Sequence, residues 1–183
     1  MNKKLNKYNH KRDFNITKEP KGKLKESQNK LAFVMQLHFA TRNHFDLRLE
    51  HDGVLLSWAV PKGPSYNPSD KRLAIMVEDH PLDYRHFEGV IPKGEYGAGP
   101  VMIWDEGYYT PLTNLKNGLV KGSLKFALFG KRLKGKWALV HLKDNEWLLI
   151  KDSDEYSKDH EGMSKFIKSI KTNRTIGEIN NEG

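Results

Sequence analysis

The run Gln36-Leu37-His38-Phe39-Ala40-Thr41-Arg42-Asn43-His44-Phe45-Asp46-Leu47-Arg48-Leu49-Glu50 alternates polar and apolar residues from His44 onward. Successive side chains of a strand point to opposite faces, so Phe45, Leu47 and Leu49 share an oily face that can pack. His44, Asp46 and Arg48 share the other face, with His38 six residues upstream of His44. The spacing His-x5-His-x-Asp fits a hairpin: His38 ends one strand, Phe39–Asn43 turn, and His44 and Asp46 begin the next. The three side chains then converge across neighbouring strands at metal-ligand distance. Two imidazoles and a carboxylate suit Mn²⁺, Fe²⁺, Zn²⁺ or Co²⁺, and the absence of cysteine argues against a structural zinc site. Arg48 beside them suits a phosphate oxygen, so the set points to metal-assisted phosphate chemistry. The competing reading is two surface histidines on an ordinary strand; an arginine on the same face argues against it.

The same short-strand character continues outward from the hairpin. Alternation is clear in Leu124–Leu128 and Trp137–His141, and further apolar runs occupy Leu31–His38, Val54–Val60, Leu73–Val77, Pro100–Trp104 and Glu146–Ile150. Turn signals separate them: His51-Asp52-Gly53, Lys62-Gly63-Pro64, Lys93–Pro100, Asn117-Gly118 and Phe129-Gly130-Lys131. About eight strands with few helical intervals predict an all-β chain with minor α, as a compact antiparallel β-barrel. Met163, Phe166, Ile167 and Ile170 fall at i, i+3, i+4 and i+7, which predicts a short C-terminal helix capping an open end of the sheet. The tail beyond it, residues 172–183, reads as polar and frayed.

At 183 residues, 37% hydrophobic with four Trp, the chain is long enough for one domain with a real core. No apolar run approaches the length of a membrane span, and the basic start is not followed by the apolar stretch of a secretory signal. A cytoplasmic monomer is the simplest expectation. The net charge of +8 is uneven: residues 1–30 hold ten Lys/Arg against three Asp/Glu, leaving 21 against 20 in the rest. A basic arm over residues 1–10 is therefore expected to be flexible, with a single domain over 11–171. Such an arm commonly lies along a polyanion.

A second polar cluster, Glu78-Asp79-His80-Pro81-Leu82-Asp83-Tyr84-Arg85-His86-Phe87-Glu88, follows the strand Leu73–Val77 directly. His80 precedes a proline and is held extended, where it could donate to a phosphate oxygen or protonate a leaving group. Lys62 and Arg72 flank a Pro/Gly-rich loop and could add positive charge. The glycine-rich run Lys93–Pro100 lacks the strand–loop–helix context of a nucleotide cradle and reads as a turn.

Three blocks together resemble the 3′-phosphoesterase domain found at the N-terminus of bacterial ATP-dependent DNA ligase D and as a standalone protein in some bacteria and archaea. They are Lys11-Arg12-Asp13-Phe14 through Glu19-Pro20, Phe33 through Glu50 continuing to Ser57–Gly63, and Val77 through Gly97. Trp147–Lys151 is similar to the family's last strand, and the resemblance covers roughly residues 8–155. It implies a small β-barrel whose groove binds a primer end, and a Mn²⁺-dependent enzyme of 3′-end healing for end joining. The enzyme would remove a terminal ribonucleoside and hydrolyse the resulting 3′-phosphate to a 3′-hydroxyl. It implies His38, His44 and Asp46 as metal ligands, with Co²⁺ or Zn²⁺ as other candidate ions. It implies Arg48, Lys62, Arg72 and His80 at the scissile phosphate with Tyr84 nearby, and supporting roles for Arg12, Asp13, Glu19 and Gln36. The partners implied are primer-template 3′ ends of DNA or RNA, and a separate DNA ligase and polymerase. With these residues the Arg12–Pro20 part of the arm is expected to fold against the groove.

Two other readings compete. A basic β-barrel could hold nucleic-acid ends for a ligase without turnover; the intact ligand set argues against it. A cupin-like oxygenase could use two histidines and a carboxylate on Fe²⁺, which leaves the basic groups beside the site unexplained.

Overall fold

Period-two alternation becomes nine antiparallel strands in the computed structural model, which describes residues 3–25, 30–163 and 165–182. They are β1 (Ala32–Phe39), β2 (Asn43–His51), β3 (Val54–Val60), β4 (Arg72–Pro81), β5 (Gly89–Ile91), β6 (Gly99–Pro111), β7 (Ser123–Gly130), β8 (Lys134–Lys143) and β9 (Glu146–Lys151). Eight of them close in the order β1-β2-β3-β4-β9-β8-β7-β6, with β6 returning to β1. The expected barrel is therefore present, and the short β5 is an extra strand paired to the start of β6. Closure leaves few edges for another chain to pair with. Among the described residues no helix is long and apolar enough to cross a membrane.

The apolar face of each strand fills the barrel: Phe33, Met35, Leu47, Leu49, Trp58, Trp104, Phe126, Trp137 and Leu149 are among its buried residues. A second cluster lies on the outer wall, where Leu5, Tyr8, Leu82, Tyr84, Phe87 and Ile91 pack on Val54, Leu55 and Val101. Covering on both faces explains why β3 is almost continuously buried and apolar rather than alternating. Asp52 and Gly53, both at positive φ, turn β2 into β3, the Asp-Gly turn that matches the twist of a hairpin.

The N-terminal arm differs from expectation. Residues Lys3–Leu5 form a 3-10 turn that leads into α1 (Asn6–His10). Leu5 and Tyr8, three residues apart and so on one face, are buried in the outer cluster. The Tyr8 hydroxyl donates to the Pro20 carbonyl at 2.7 Å. Only residues 1 and 2 of the expected flexible arm lie outside the described residues.

The helices also fall elsewhere. Asn117-Gly118 is not a turn but part of α2 (Leu115–Lys121), which Asn114 caps by accepting from the Asn117 N–H at 3.0 Å. The stretch 163–170, of which residue 164 lies outside the described residues, is not helical. Its helix would need the Phe166 carbonyl to accept from Ile170 N–H. Instead that carbonyl takes the Trp104 indole N–H at 2.9 Å, and Ile170 N–H goes to the Ile103 carbonyl at 3.1 Å. Tertiary partners outbid the local ladder. The short C-terminal helix is α3 (Ile176–Asn180), inside the region expected to fray. A Thr175–Glu178 capping box starts it and buried Ile179 docks it.

Candidate active site

The β1–β2 hairpin sets His38 opposite His44 and Gln36 opposite Asp46. On β3, Ala59 stands opposite Asp46 and Ser57 opposite Arg48; on β4, His80 stands opposite Leu55. These side chains share the outer face of the barrel wall. Of these, His38, His44, Asp46, Arg48, Ala59 and His80 line a cleft of about 410 Å³ with Arg12, Tyr84, Tyr96 and Gly97. A groove of about 730 Å³ along α1, lined by Leu5, Lys7, His10 and Leu24, is larger, but among the described residues the group of side chains able to hold a metal lies in the smaller cleft.

Ligand atoms of His38, His44 and Asp46 lie within 4.8 Å of one another. His38 Nε2 is 2.7 Å from the Gly97 carbonyl and His44 Nδ1 is 2.8 Å from the Arg42 carbonyl. A carbonyl only accepts, so both of those ring nitrogens carry hydrogen and the other nitrogen of each neutral ring is a lone pair. Those other nitrogens, His38 Nδ1 and His44 Nε2, face Asp46 at 3.8 and 3.6 Å. Two lone pairs turned on a buried carboxylate call for a cation between them, a proton or a metal ion. The donor set therefore fits a divalent metal, with backbone carbonyls fixing both rings from behind.

Electrostatics agree. Burial disfavours the Asp46 carboxylate, yet the charge of Arg48, with the imidazoles of His38 and His44 facing the same group, outweighs it and holds its pKa well below the usual range. Burial likewise disfavours a charged His44, but Asp46 and the Arg42 carbonyl raise its pKa above the ordinary value.

Arg48 is buried and held from three sides: Nε donates to Gln36 Oε1 at 2.7 Å, Nη1 to Ser57 Oγ at 2.9 Å and Nη2 to Asp46 Oδ2 at 2.9 Å. Gln36 is itself anchored, its amide donating to the carbonyls of Tyr84 and Phe87 at 3.1 and 2.8 Å. The Tyr84 ring lies 4.7 Å from the Arg48 guanidinium and 4.8 Å from the His80 ring. Burial, with nearby Glu19, pushes the Tyr84 hydroxyl well above its ordinary pKa. His80 Nδ1 is 2.9 Å from the Glu78 carbonyl, and its Nε2 is 3.4 Å from Arg12 Nη2. Burial and the charges of Arg48 and Arg12 drive its pKa well down, so His80 is neutral, with Nε2 an acceptor.

Arg12 stands over the Tyr8 ring at 3.8 Å and is tied to Glu19 at 2.8 Å. Glu19 meets the cleft through its ion pair with Arg12 and its charge near Tyr84, and Thr17 orients it at 3.0 Å. Asp13 is exposed and serves its own turn, accepting from the Asn15 backbone and side chain. Lys62 and Arg72 are not brought into the cleft. With Pro61 and Asp70 they line a neighbouring depression, reached two residues along β3 from Ala59. Arg72 donates to Asp70 at 3.3 Å, while its buried Nε has no partner among the described residues.

Three cleft neighbours escaped the sequence reading. Ser57 was legible as a lone hydroxyl in the apolar run Val54–Val60, and it bridges Arg48 and His80. Glu78 receives Lys11 at 3.0 Å and Arg12 at 3.6 Å, a pairing across 67 residues of chain that no local pattern announces. Tyr96 sits in the glycine-rich loop.

Residues 36–141 match the family described as the DNA ligase D 3′-phosphoesterase domain. The chain is 52% identical over 158 residues to the multifunctional non-homologous end joining protein LigD of Pseudomonas aeruginosa, covering 83% of this chain and 19% of that protein. It is 42% identical over 171 residues to the protein of the same name from Mycolicibacterium smegmatis, covering 90% of this chain and 22% of that one. The chain thus spans about a fifth of the length of these relatives.

Proposed function

The chain belongs to the DNA ligase D 3′-phosphoesterase domain family, and from that premise we propose that it is a divalent-metal-dependent enzyme that heals 3′ ends, with Mn²⁺ as its ion. Its substrate is a primer-template whose 3′ end carries a terminal ribonucleotide or a phosphate. It removes the ribonucleoside, hydrolyses the remaining 3′-phosphate, and leaves a 3′-hydroxyl for a ligase or polymerase. The observation that carries this reading is the convergence of His38 Nδ1, His44 Nε2 and the Asp46 carboxylate beside a buried arginine.

An ion held by those three groups would draw charge from a phosphate oxygen and favour attack by water. Arg48 uses three of its five N–H groups on Gln36, Ser57 and Asp46, so its fork is fixed before substrate arrives. A preorganised cation of this kind stabilises developing phosphate charge without reorganising. His80 enters neutral, and the charge of a bound phosphate is what would load its Nε2 with a proton to donate back to a phosphate or sugar oxygen. Arg12, aligned by Glu19, adds a second cation on the same side, and Tyr84 packs against both Arg48 and His80. Lys62 and Arg72 would meet phosphates further along the strand.

Titrating Mn²⁺ against a 5′-labelled primer-template, ending in a ribonucleotide or a 3′-phosphate, tests the proposal. Metal-dependent release of nucleoside and inorganic phosphate is expected, with His44→Ala and Asp46→Ala both inactive. Full activity in either variant ends the metal assignment. Salt-sensitive binding with no turnover at any metal concentration would make the protein an end-binding module instead.

A further inference from the structure

The loop Lys93–Pro100, which has no phosphate-cradling pattern, forms one wall of the cleft. Its Gly97 carbonyl lies 2.7 Å from His38 Nε2, and a Cβ on Gly97 would stand 3.3 Å from His38 Cε1. The loop is thus pressed against the ligand set, and positive φ at Gly94, Gly97 and Gly99 gives it the path to do so. Tyr96, the residue beside that contact, lines the cleft yet is 52% exposed.

A large aromatic left half open at a cleft that buries Tyr84 needs a reason. Lys11 Nζ stands 4.3 Å from the centre of the Tyr96 ring and the Arg12 guanidinium 5.9 Å from it. Lys11 is held there by its ion pair with Glu78 at 3.0 Å. The ring thus has two cations within cation–π distance, sits in a glycine-bounded loop, and still leaves about half of the residue open to solvent. Of the other exposed aromatics among the described residues, Tyr108, Phe129 and Tyr156 do not line the cleft, and Phe39, next to His38, lines a separate depression with Ala40 and Asn43. A fixed, half-open ring beside a phosphate site matches one ligand feature, the flat face of a nucleobase, which stacks on aromatic side chains whatever its identity.

We propose that Tyr96 stacks on the nucleobase of the 3′-terminal nucleotide, so that the protein distinguishes ends that carry a base from ends that have lost one. The inference rests on the phosphoesterase reading for its substrate, and it assigns a recognition element that the metal and phosphate groups do not supply. Phosphate contacts position a nucleic acid; a stacking contact sees the base itself.

The test measures affinity in EDTA, where no turnover occurs, for two 3′-phosphate primer-templates that differ only in whether the terminal nucleotide is abasic. Wild type is expected to prefer the base-bearing end by about tenfold, the ratio that roughly 1.4 kcal/mol of stacking produces. Tyr96→Ala should bring that ratio to within about twofold of unity, while Tyr96→Phe, which keeps the ring, retains it. With Mn²⁺ present the same ratio should appear in KM rather than kcat. Equal affinity of wild type for both ends, or a loss in Tyr96→Ala that falls equally on both, overturns the proposal. Wild type that discriminates in EDTA but releases no phosphate with Mn²⁺ upholds the stacking and refutes the enzymatic reading. Turnover with no discrimination does the reverse.

Discussion

Replacing Arg48 by Met keeps an unbranched stem of similar volume and deletes the guanidinium. Three hydrogen bonds vanish, to Gln36, Ser57 and Asp46. The side chains of Arg48 and Asp46 are 3% and 7% exposed, so the Asp46 carboxylate loses its nearest cation inside the protein. Breaking one half of a buried pair costs about 3–5 kcal/mol, a large part of the roughly 5–15 kcal/mol that holds a domain folded. Urea unfolding of chelated, metal-free protein, followed by fluorescence of the buried tryptophans, measures it. A dependence on pH follows from the sign of the Asp46 shift. Its folded pKa lies well below the ordinary 3.8, so in wild type the ionised group contributes stability that is complete above the unfolded value and fades as pH falls through the folded one. Arg48→Met lacks that contribution. The gap between the two proteins is therefore widest near pH 7 and closes below about pH 4. A loss under about 1 kcal/mol at pH 7, or a gap that does not narrow as pH falls below about 4, refutes the reasoning.

Saturating Mn²⁺ at a hundredfold over its Kd should stabilise the wild-type protein by about 2.7 kcal/mol, and Asp46→Asn should abolish the rise in melting temperature. The Glu88 carboxylate accepts from Ile103 N–H at 2.8 Å, Ser169 Oγ at 2.7 Å and Arg174 at 3.3 Å, with Thr172 also bound. Glu88→Ala should therefore speed hydrogen exchange in residues 165–182 about tenfold or more while β2 and β3 keep their protection, the change expected when about 1–3 kcal/mol of buried bonding is lost. Gly122 ends α2 at φ +71°, and a Cβ there would meet His141 Cβ at 2.8 Å. Gly122→Ala should cost about 1–3 kcal/mol in chemical denaturation, more than the same change at an open glycine such as Gly177.

What could be read from the chain follows the range over which its interactions act. The period-two pattern of β2 located the oily face correctly, because strand alternation is set within a few residues. The His38–His44 pairing was legible for the same reason: a three-residue hairpin loop leaves little choice of register. Tyr8 was not legible, since its burial depends on Val54, Leu82 and Tyr84 meeting it from distant parts of the chain. The helix expected over 163–170 failed because Trp104 and Ile103 claimed its hydrogen-bonding groups. The roles of Glu19 and Glu78 pass through Arg12 and Lys11, so a search for groups facing a substrate would miss how they act.

His38, His44 and Asp46 all belong to one hairpin of nine consecutive residues, whereas Arg12 arrives from the N-terminal segment and His80 and Tyr84 from the end of β4 and the turn after it. The cation ligands are thus a transferable cartridge, and the groups that would meet the anion are the socket into which it fits. A change in β4 or the Lys93–Pro100 loop can retune which ends are accepted while the cartridge keeps its geometry. A designer seeking a different phosphate ester has a natural line along which to cut: keep residues 38–46 and vary what faces them.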